Sequence, residues 1–255
     1  MDPKRKVKLM MEAEDFVWNS PFLSLLLRNV PRKLRGTFKT RTTETIFSEV
    51  FQGNLWGDEE SRSGPGSNLM ETRTIRRDLP RLLVKYGIRS ILDIPCGDFN
   101  WMKEVDLVGV KYTGGDIVQG LIDANNGRYG SENRVFVRLD LLTDAVPKVD
   151  LVFVRDCLVH FSFTDAFRAL RNICAGGSEY LMTTTFPCRV RNQNIATGGW
   201  RPLNFQVAPF SFPEPLEIIC EDHPLTKFAD KSVGLWALRD ISRCLPFPPW
   251  PPVAG

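Results

Sequence analysis

This 255-residue chain has six cysteines and no C-x-x-C pair among them. Cys96, Cys157, Cys174, Cys188, Cys220 and Cys244 are scattered, so no zinc-ligand spacing exists and no metal ligand is assigned. Several lie in apolar runs, as small buried hydrophobes do, which predicts reduced thiols in a cytoplasmic protein. No run of eighteen apolar residues occurs, so a membrane-spanning helix is not expected. Met1 to Met10 lacks the apolar core of a secretory signal. Within it, Pro3-Lys4-Arg5-Lys6-Val7 matches a basic nuclear-import signal, although a solvated basic tail explains it as simply. The net charge of +3 is too small to imply a nucleic-acid partner by itself. Histidine is scarce, with only His160 and His223. The G-x-G-x-x-G fingerprint is missing, so the cradle for a dinucleotide pyrophosphate is incomplete. There is no internal repeat.

What is present is an alternation of apolar strands with helical patterns, the mark of a parallel sheet. Strands are predicted at 89–94, 109–115, 134–139, 149–154 and 178–184. Two more follow, Leu216 to Cys220 and Val233 to Leu238. Helices are predicted near 98–105, 117–126 and 163–174. A further helix is expected over 70–86, where Ile75, Leu79, Leu82 and Leu83 share a face. Pro80 should kink or break it, and Gly87 should cap it. Thr43 to Val50 and Leu23 to Leu27 are shorter helix candidates. The expected organisation is a basic leader at 1–45, a domain at 46–243 and a proline-rich tail at 244–255. Within the domain, 46–72 is a cap loop and 186–215 an insertion.

The most informative stretch runs from Ser90 to Met102. It reads as a buried strand ending on Asp93, a turn through Gly97 and the start of a helix. About twenty residues on, Lys111-Tyr112-Thr113-Gly114-Gly115-Asp116 is a second strand ending on an acid. Open α/β sheets bind nucleotide-like ligands just past such strand ends, and an acid there accepts from ribose hydroxyls.

These residues resemble the class I S-adenosylmethionine (SAM)-dependent methyltransferases. Asp93-Ile94-Pro95-Cys96-Gly97 is similar to that family's first motif, with Phe99 in the region where a second glycine often stands. The resemblance covers residues 70 to 185 and returns at 232 to 241. It implies a Rossmann-like, doubly wound, mostly parallel seven-stranded sheet with an antiparallel last strand, helices on both faces and an N-terminal extension. It implies SAM as cofactor and S-adenosylhomocysteine (SAH) as product. Asp93, Pro95, Cys96, Gly97, Asp116, Ile117 and Arg155 become cofactor residues, and Asp140 and Leu141 the adenine contacts.

Asp156 and His160 follow the fourth strand, where the family holds the transferred methyl. They are the candidate catalytic pair, with Asp156 as base or as the group orienting the imidazole. The loop carrying Trp56, Glu60, Ser61, Gly64 and Ser67 is a candidate cofactor cap, and Arg73 a candidate ligand for the methionine carboxylate. After the fifth strand, Asn194, Trp200, Arg201 and Asn204 suit a polyhydroxylated acceptor: amides and guanidinium bond hydroxyls, and indole covers a sugar face.

Asn54-Leu55-Trp56-Gly57, Ser63-Gly64-Pro65-Gly66-Ser67 and Gly198 to Asn204 resemble a subgroup of these enzymes linked to glycan modification. The implied reaction is O-methylation of a sugar hydroxyl on a glycan, nucleotide sugar or other small polar acceptor. A hydroxyl acceptor leaves room for activation by a divalent metal. A nucleic-acid methyltransferase is the first alternative, but no Asn/Asp-Pro-Pro-aromatic run follows the fourth strand. A non-catalytic SAM-binding protein is the other.

Overall fold

The structure is a computed structural model that describes residues 42–222 and 228–245. Most of the basic leader, the Leu23–Leu27 helix candidate and most of the proline-rich tail lie outside the described residues.

Seven strands form one sheet. They are β1 (Ser90–Asp93), β2 (Lys111–Asp116), β3 (Arg134–Arg138), β4 (Leu151–Val154), β5 (Tyr180–Thr185), β6 (Glu217–Cys220) and β7 (Ser232–Ala237). Their order is β3-β2-β1-β4-β5-β7-β6. β1 to β5 pair in parallel, and β7 runs antiparallel between β5 and β6. All seven predicted strands are present, and the last is antiparallel as expected.

The helices are α1 (Thr43–Gly53), α2 (Arg73–Lys85), α3 (Gln119–Tyr129), α4 (Phe163–Ala175) and α5 (Leu238–Cys244). None of the described helices is long and apolar enough to cross a membrane. Alternation along the strands divides the core. Leu92, Val152, Val154 and Leu181 pack against α4 and α5. Ile91, Leu151, Phe153 and Met182 pack against α2 and α3. Burial on both faces requires the near-continuous apolar runs by which these strands were recognised.

Local chemistry sets the helix ends. The Thr42 hydroxyl accepts the Thr45 N–H at the start of α1, and Ser162 does the same for Asp165 at the start of α4. α2 stops where Gly87 takes φ +64°, with the Ile88 N–H on the Leu83 carbonyl.

Two expectations need correction. α2 runs through Pro80 as one element, so of the expected kink or break the break does not occur. The helix predicted at 98–105 shrinks to a single 3₁₀ turn, Met102–Glu104. Phe99 sits at φ +58°, a left-handed conformation that a continuing helix cannot contain.

Candidate active site

The carboxyl ends of β1, β2 and β4 open into one cavity of about 330 Å³. Asp93, Pro95, Cys96 and Gly97 line it from the β1 exit, Asp116 and Ile117 from β2, and Asp140 and Leu141 from the segment after β3. Three acids spaced along the chain thus reach one space, because parallel strands place their exits side by side.

Asp116 is buried and already receives two backbone donors, Gly97 N–H at 3.2 Å and Val118 N–H at 3.0 Å. Burial pushes its pKa up to about 6, against the pull of those bonds. A carboxylate has further lone pairs to offer. Asp93 accepts the Tyr112 hydroxyl at 2.6 Å, and burial drives its pKa up to about 7. Asp140 turns the next corner, accepting Leu142 N–H at 2.9 Å.

Above this floor lies the predicted cap. Trp56, Gly64 and Ser67 line the cavity together with Arg62, Ser63 and the α1 residues Thr43, Phe47 and Phe51. Glu60 and Ser61 act differently from the expected ligand contact: they fasten the cap. Glu60 accepts from Leu69 N–H and Asn100 Nδ2. Ser61 Oγ donates to Asp98, as does the Arg62 N–H at 2.8 Å. Ser63 Oγ both donates to the Asp98 carboxylate and accepts its N–H at 3.0 Å. The cap sits so close to the β1 exit that a Cβ on Gly97 would lie 2.2 Å from Ser63 Oγ. Gly97 is also at φ +55°, so glycine is required twice over.

Arg73 is a correction. Its side chain is exposed at the start of α2 and does not line the cavity. Arg155 does, at the exit of β4. Its Nε donates to Glu221 at 2.6 Å and its Nη1 pairs with Asp156 at 3.2 Å, while the guanidinium lies 5.3 Å over Trp101. Lys231 bridges Asp156 at 2.6 Å and Glu221 at 3.3 Å. Burial would raise the Asp156 pKa, but the Lys231 and Arg155 charges outweigh it and hold the group below its ordinary value.

Asp156 and His160 both line the cavity but do not form the expected bonded pair. Asp156, at φ +50°, gives its oxygens to Lys231, Arg155 and Thr184. A carboxylate stabilised by two cations is a weak base. His160 is oriented instead by the Gly199 carbonyl, 2.8 Å from Nδ1. A carbonyl only accepts, so Nδ1 carries the proton and Nε2 keeps its lone pair. Burial lowers the imidazole pKa. Phe47 and Trp56 flank the ring, with centroids at 6.3 and 5.5 Å.

Among the expected acceptor ligands, Trp200 alone lines the cavity, 40% exposed and edge-on to Phe186 and Phe228. Arg201 and Asn204 face inward, and Asn194, although exposed, is engaged by the backbone. Arg201 donates to the carbonyls of Gln193, Leu158 and Phe161, and burial pulls its pKa down to about 9. Asn204 donates to the carbonyls of Pro187 and Arg189. Asn194 accepts Phe163 N–H at 2.7 Å. The insertion has no regular structure, so its buried peptide groups need side-chain partners, and these residues supply them.

Sequence reasoning missed Asp98, Glu221 and Lys231. Asp98 was read as a helix start. Lys231 had a signal, a lone cation directly before an apolar strand. Glu221 depends on a contact with Arg155, 66 residues away along the chain. Among the described residues, no group of three or more His, Cys, Asp or Glu could hold a metal ion.

No protein-family model matches the sequence, and no curated protein does. Solved structures do match in fold. The N-methyltransferase NodS from Bradyrhizobium japonicum WM9 aligns at TM-score 0.50 and 15% identity, over 68% of this chain and 98% of that one. Magnesium protoporphyrin IX methyltransferase (ChlM) from Synechocystis PCC 6803, solved with bound SAM, aligns at TM-score 0.46 and 17% identity, over 62% and 83%. A possible exported protein from Bordetella parapertussis aligns at TM-score 0.37 and 18% identity, over 45% of this chain and 43% of its own length. With its strand order, its antiparallel β7 and its likeness to NodS, this chain has the Rossmann-like fold of the class I SAM-dependent methyltransferases.

Proposed function

We propose that this chain is a SAM-dependent methyltransferase that O-methylates a sugar hydroxyl of a glycan, nucleotide sugar or other small polar acceptor. The observation that carries the reading is the shared cavity, which the acids at the β1 and β2 exits and after β3 line together with His160. The residues present fit the cofactor. Asp116 keeps acceptor capacity for ribose hydroxyls, and Asp140 and Leu141 are placed for adenine. Asp93 and Arg155 lie beyond them toward β4. SAM would supply an electrophilic methyl on a sulfonium, so the protein needs chiefly to align the acceptor and take its proton.

His160 suits that second task. Its depressed pKa keeps it neutral at pH 7, and Nε2 is the nitrogen left to accept. Asp156 contributes by holding Lys231 beside the site rather than as a base. The indoles of Trp56 and Trp200 support a ring-shaped acceptor, since an indole face covers the apolar side of a sugar. Arg201 and Asn204, buried and spent on backbone carbonyls, are left out of this recognition.

The test is calorimetry with SAM and SAH on the wild type and on Asp116→Ala. Micromolar binding that weakens at least tenfold in the variant is expected. Labelled SAM with a panel of sugar acceptors then identifies the product. A folded wild type that binds neither ligand refutes the reading.

A further inference from the structure

Arg155 has a donor that nothing among the described residues uses. Its side chain is 4% exposed, and its Nε and Nη1 are taken by Glu221 and Asp156. Its Nη2 is buried and has no hydrogen-bond partner. The residue lines the cavity, with Trp101 stacked on one face of the guanidinium plane. Buried guanidinium donors are normally all satisfied, because desolvating one without a partner is unfavourable. The four bonded charges already pair off without a ligand: Arg155 and Lys231 against Glu221 and Asp156. The unmet need is therefore an acceptor oxygen and not a counter-charge to stabilise the fold.

We infer that Arg155, through Nη2, is the receptor for a ligand carboxylate inside the cavity. With Nε and Nη1 engaged, Nη2 is the donor left for a carboxylate oxygen, to which a guanidinium makes a charge-assisted bond. It takes the place that the exposed Arg73 cannot fill. Two sources share this chemistry, and both rest on the methyltransferase reading. One is the aminoacyl end of the cofactor, for which the neighbouring Asp93 carboxyl is an acceptor suited to the ammonium. The other is a carboxylate on the acceptor.

The experiment is calorimetry on the full chain with SAH, the methyl ester of SAH, and benzoate added to the SAH complex. It is run on the wild type and on Arg155→Lys, which keeps the charge and removes Nη2. If the cofactor is the source, the ester binds the wild type at least tenfold more weakly than SAH, and Arg155→Lys erases the difference. If the acceptor is the source, acid and ester bind alike, and benzoate binds the wild-type complex but not the variant. Equal binding of acid and ester together with no benzoate binding overturns the inference. If Arg155→Lys does not fold, the acid-against-ester and benzoate comparisons on the wild type decide. Failure of SAH itself to bind sinks the methyltransferase reading instead. Benzoate on the free protein then tests Arg155 alone, with no binding counting against it.

Discussion

Replacing Asp98 with alanine should open the cap while leaving the sheet intact. Asp98 receives Arg62 N–H at 2.8 Å, Ser61 Oγ at 3.0 Å and Ser63 Oγ at 3.2 Å, all from the cap. A hydrogen bond to a charged group contributes about 1.5–3 kcal/mol. Arg62 N–H is exposed and recovers most of its bond from water, whereas the Ser61 side chain is buried and does not. The closed cap therefore loses about 2–3 kcal/mol, not the sum of three bonds. Trp56, Ser63, Gly64 and Ser67 reach the cavity only from the closed cap, so the loss passes into ligand affinity. SAH should bind roughly 30- to 150-fold more weakly. Calorimetry reads that change, and limited proteolysis between Asn54 and Leu69 should quicken in parallel. Thermal unfolding should move less than ligand affinity, because the Asp98 carboxylate bonds chiefly to the cap, with Asn100 N–H its partner on its own loop. Unchanged cleavage and unchanged affinity would refute the latch. Faster cleavage with unchanged affinity would show that the cap plays no part in holding the cofactor.

Arg201→Leu should lower stability by roughly 3 kcal/mol, since it strands buried carbonyls, and chemical denaturation measures it; a loss of acceptor affinity without a loss of stability would contradict the inward role. Asp116→Asn should change how stability depends on pH. The folded pKa of about 6 exceeds the ordinary 3.8, so the folded state holds the proton longer and wild-type stability falls as pH rises from about 4 through 6. The asparagine variant lacks that fall, and the difference between the two should grow by about 3 kcal/mol across the window. A constant difference would count against a buried, proton-retaining Asp116. His160→Asn should cut methyl transfer by about 10²–10⁴-fold with SAH affinity within threefold, and the wild-type rate should rise with pH through a value below 6.5. A full rate in the variant would remove the imidazole from the chemistry.

The centre of the sheet was readable because β1 and β4 are apolar runs that end on or before a charged residue, and parallel strands buried on both faces permit little else. Asp93, Gly97, Asp116 and Asp140 were readable in turn, because they stand at or just past strand ends. The acceptor side was not. Asn194, Arg201 and Asn204 look the same in sequence whether they face a ligand or their own backbone, and only the path of the insertion decides. Arg73 and Arg155 posed the converse problem, since an arginine's role depends on which acids the fold brings near, and Glu221 and Lys231 arrive from the far end of the chain. Phe99 deceived by composition: nothing in Asp98-Phe99-Asn100-Trp101 forbids a helix except the Ser61–Ser63 segment that claims Asp98.

The insertion after β5 has a consequence for how this protein can change. In most proteins a long connection is the part that drifts, and apolar core positions are the part that resists. Here Asn192, Arg201 and Asn204 hold the backbone of an irregular segment whose Leu203, Phe205, Phe210 and Phe212 are fully embedded. A polar-to-polar exchange at these sites would be as damaging as a hole in the core. The freedom to acquire new partners lies with the outward positions, among them Val190, 88% exposed, Arg191, Gln193, Asn194 and Trp200. Laboratory evolution toward a new acceptor should accumulate its changes there and on the cap, and leave the rest of this loop untouched.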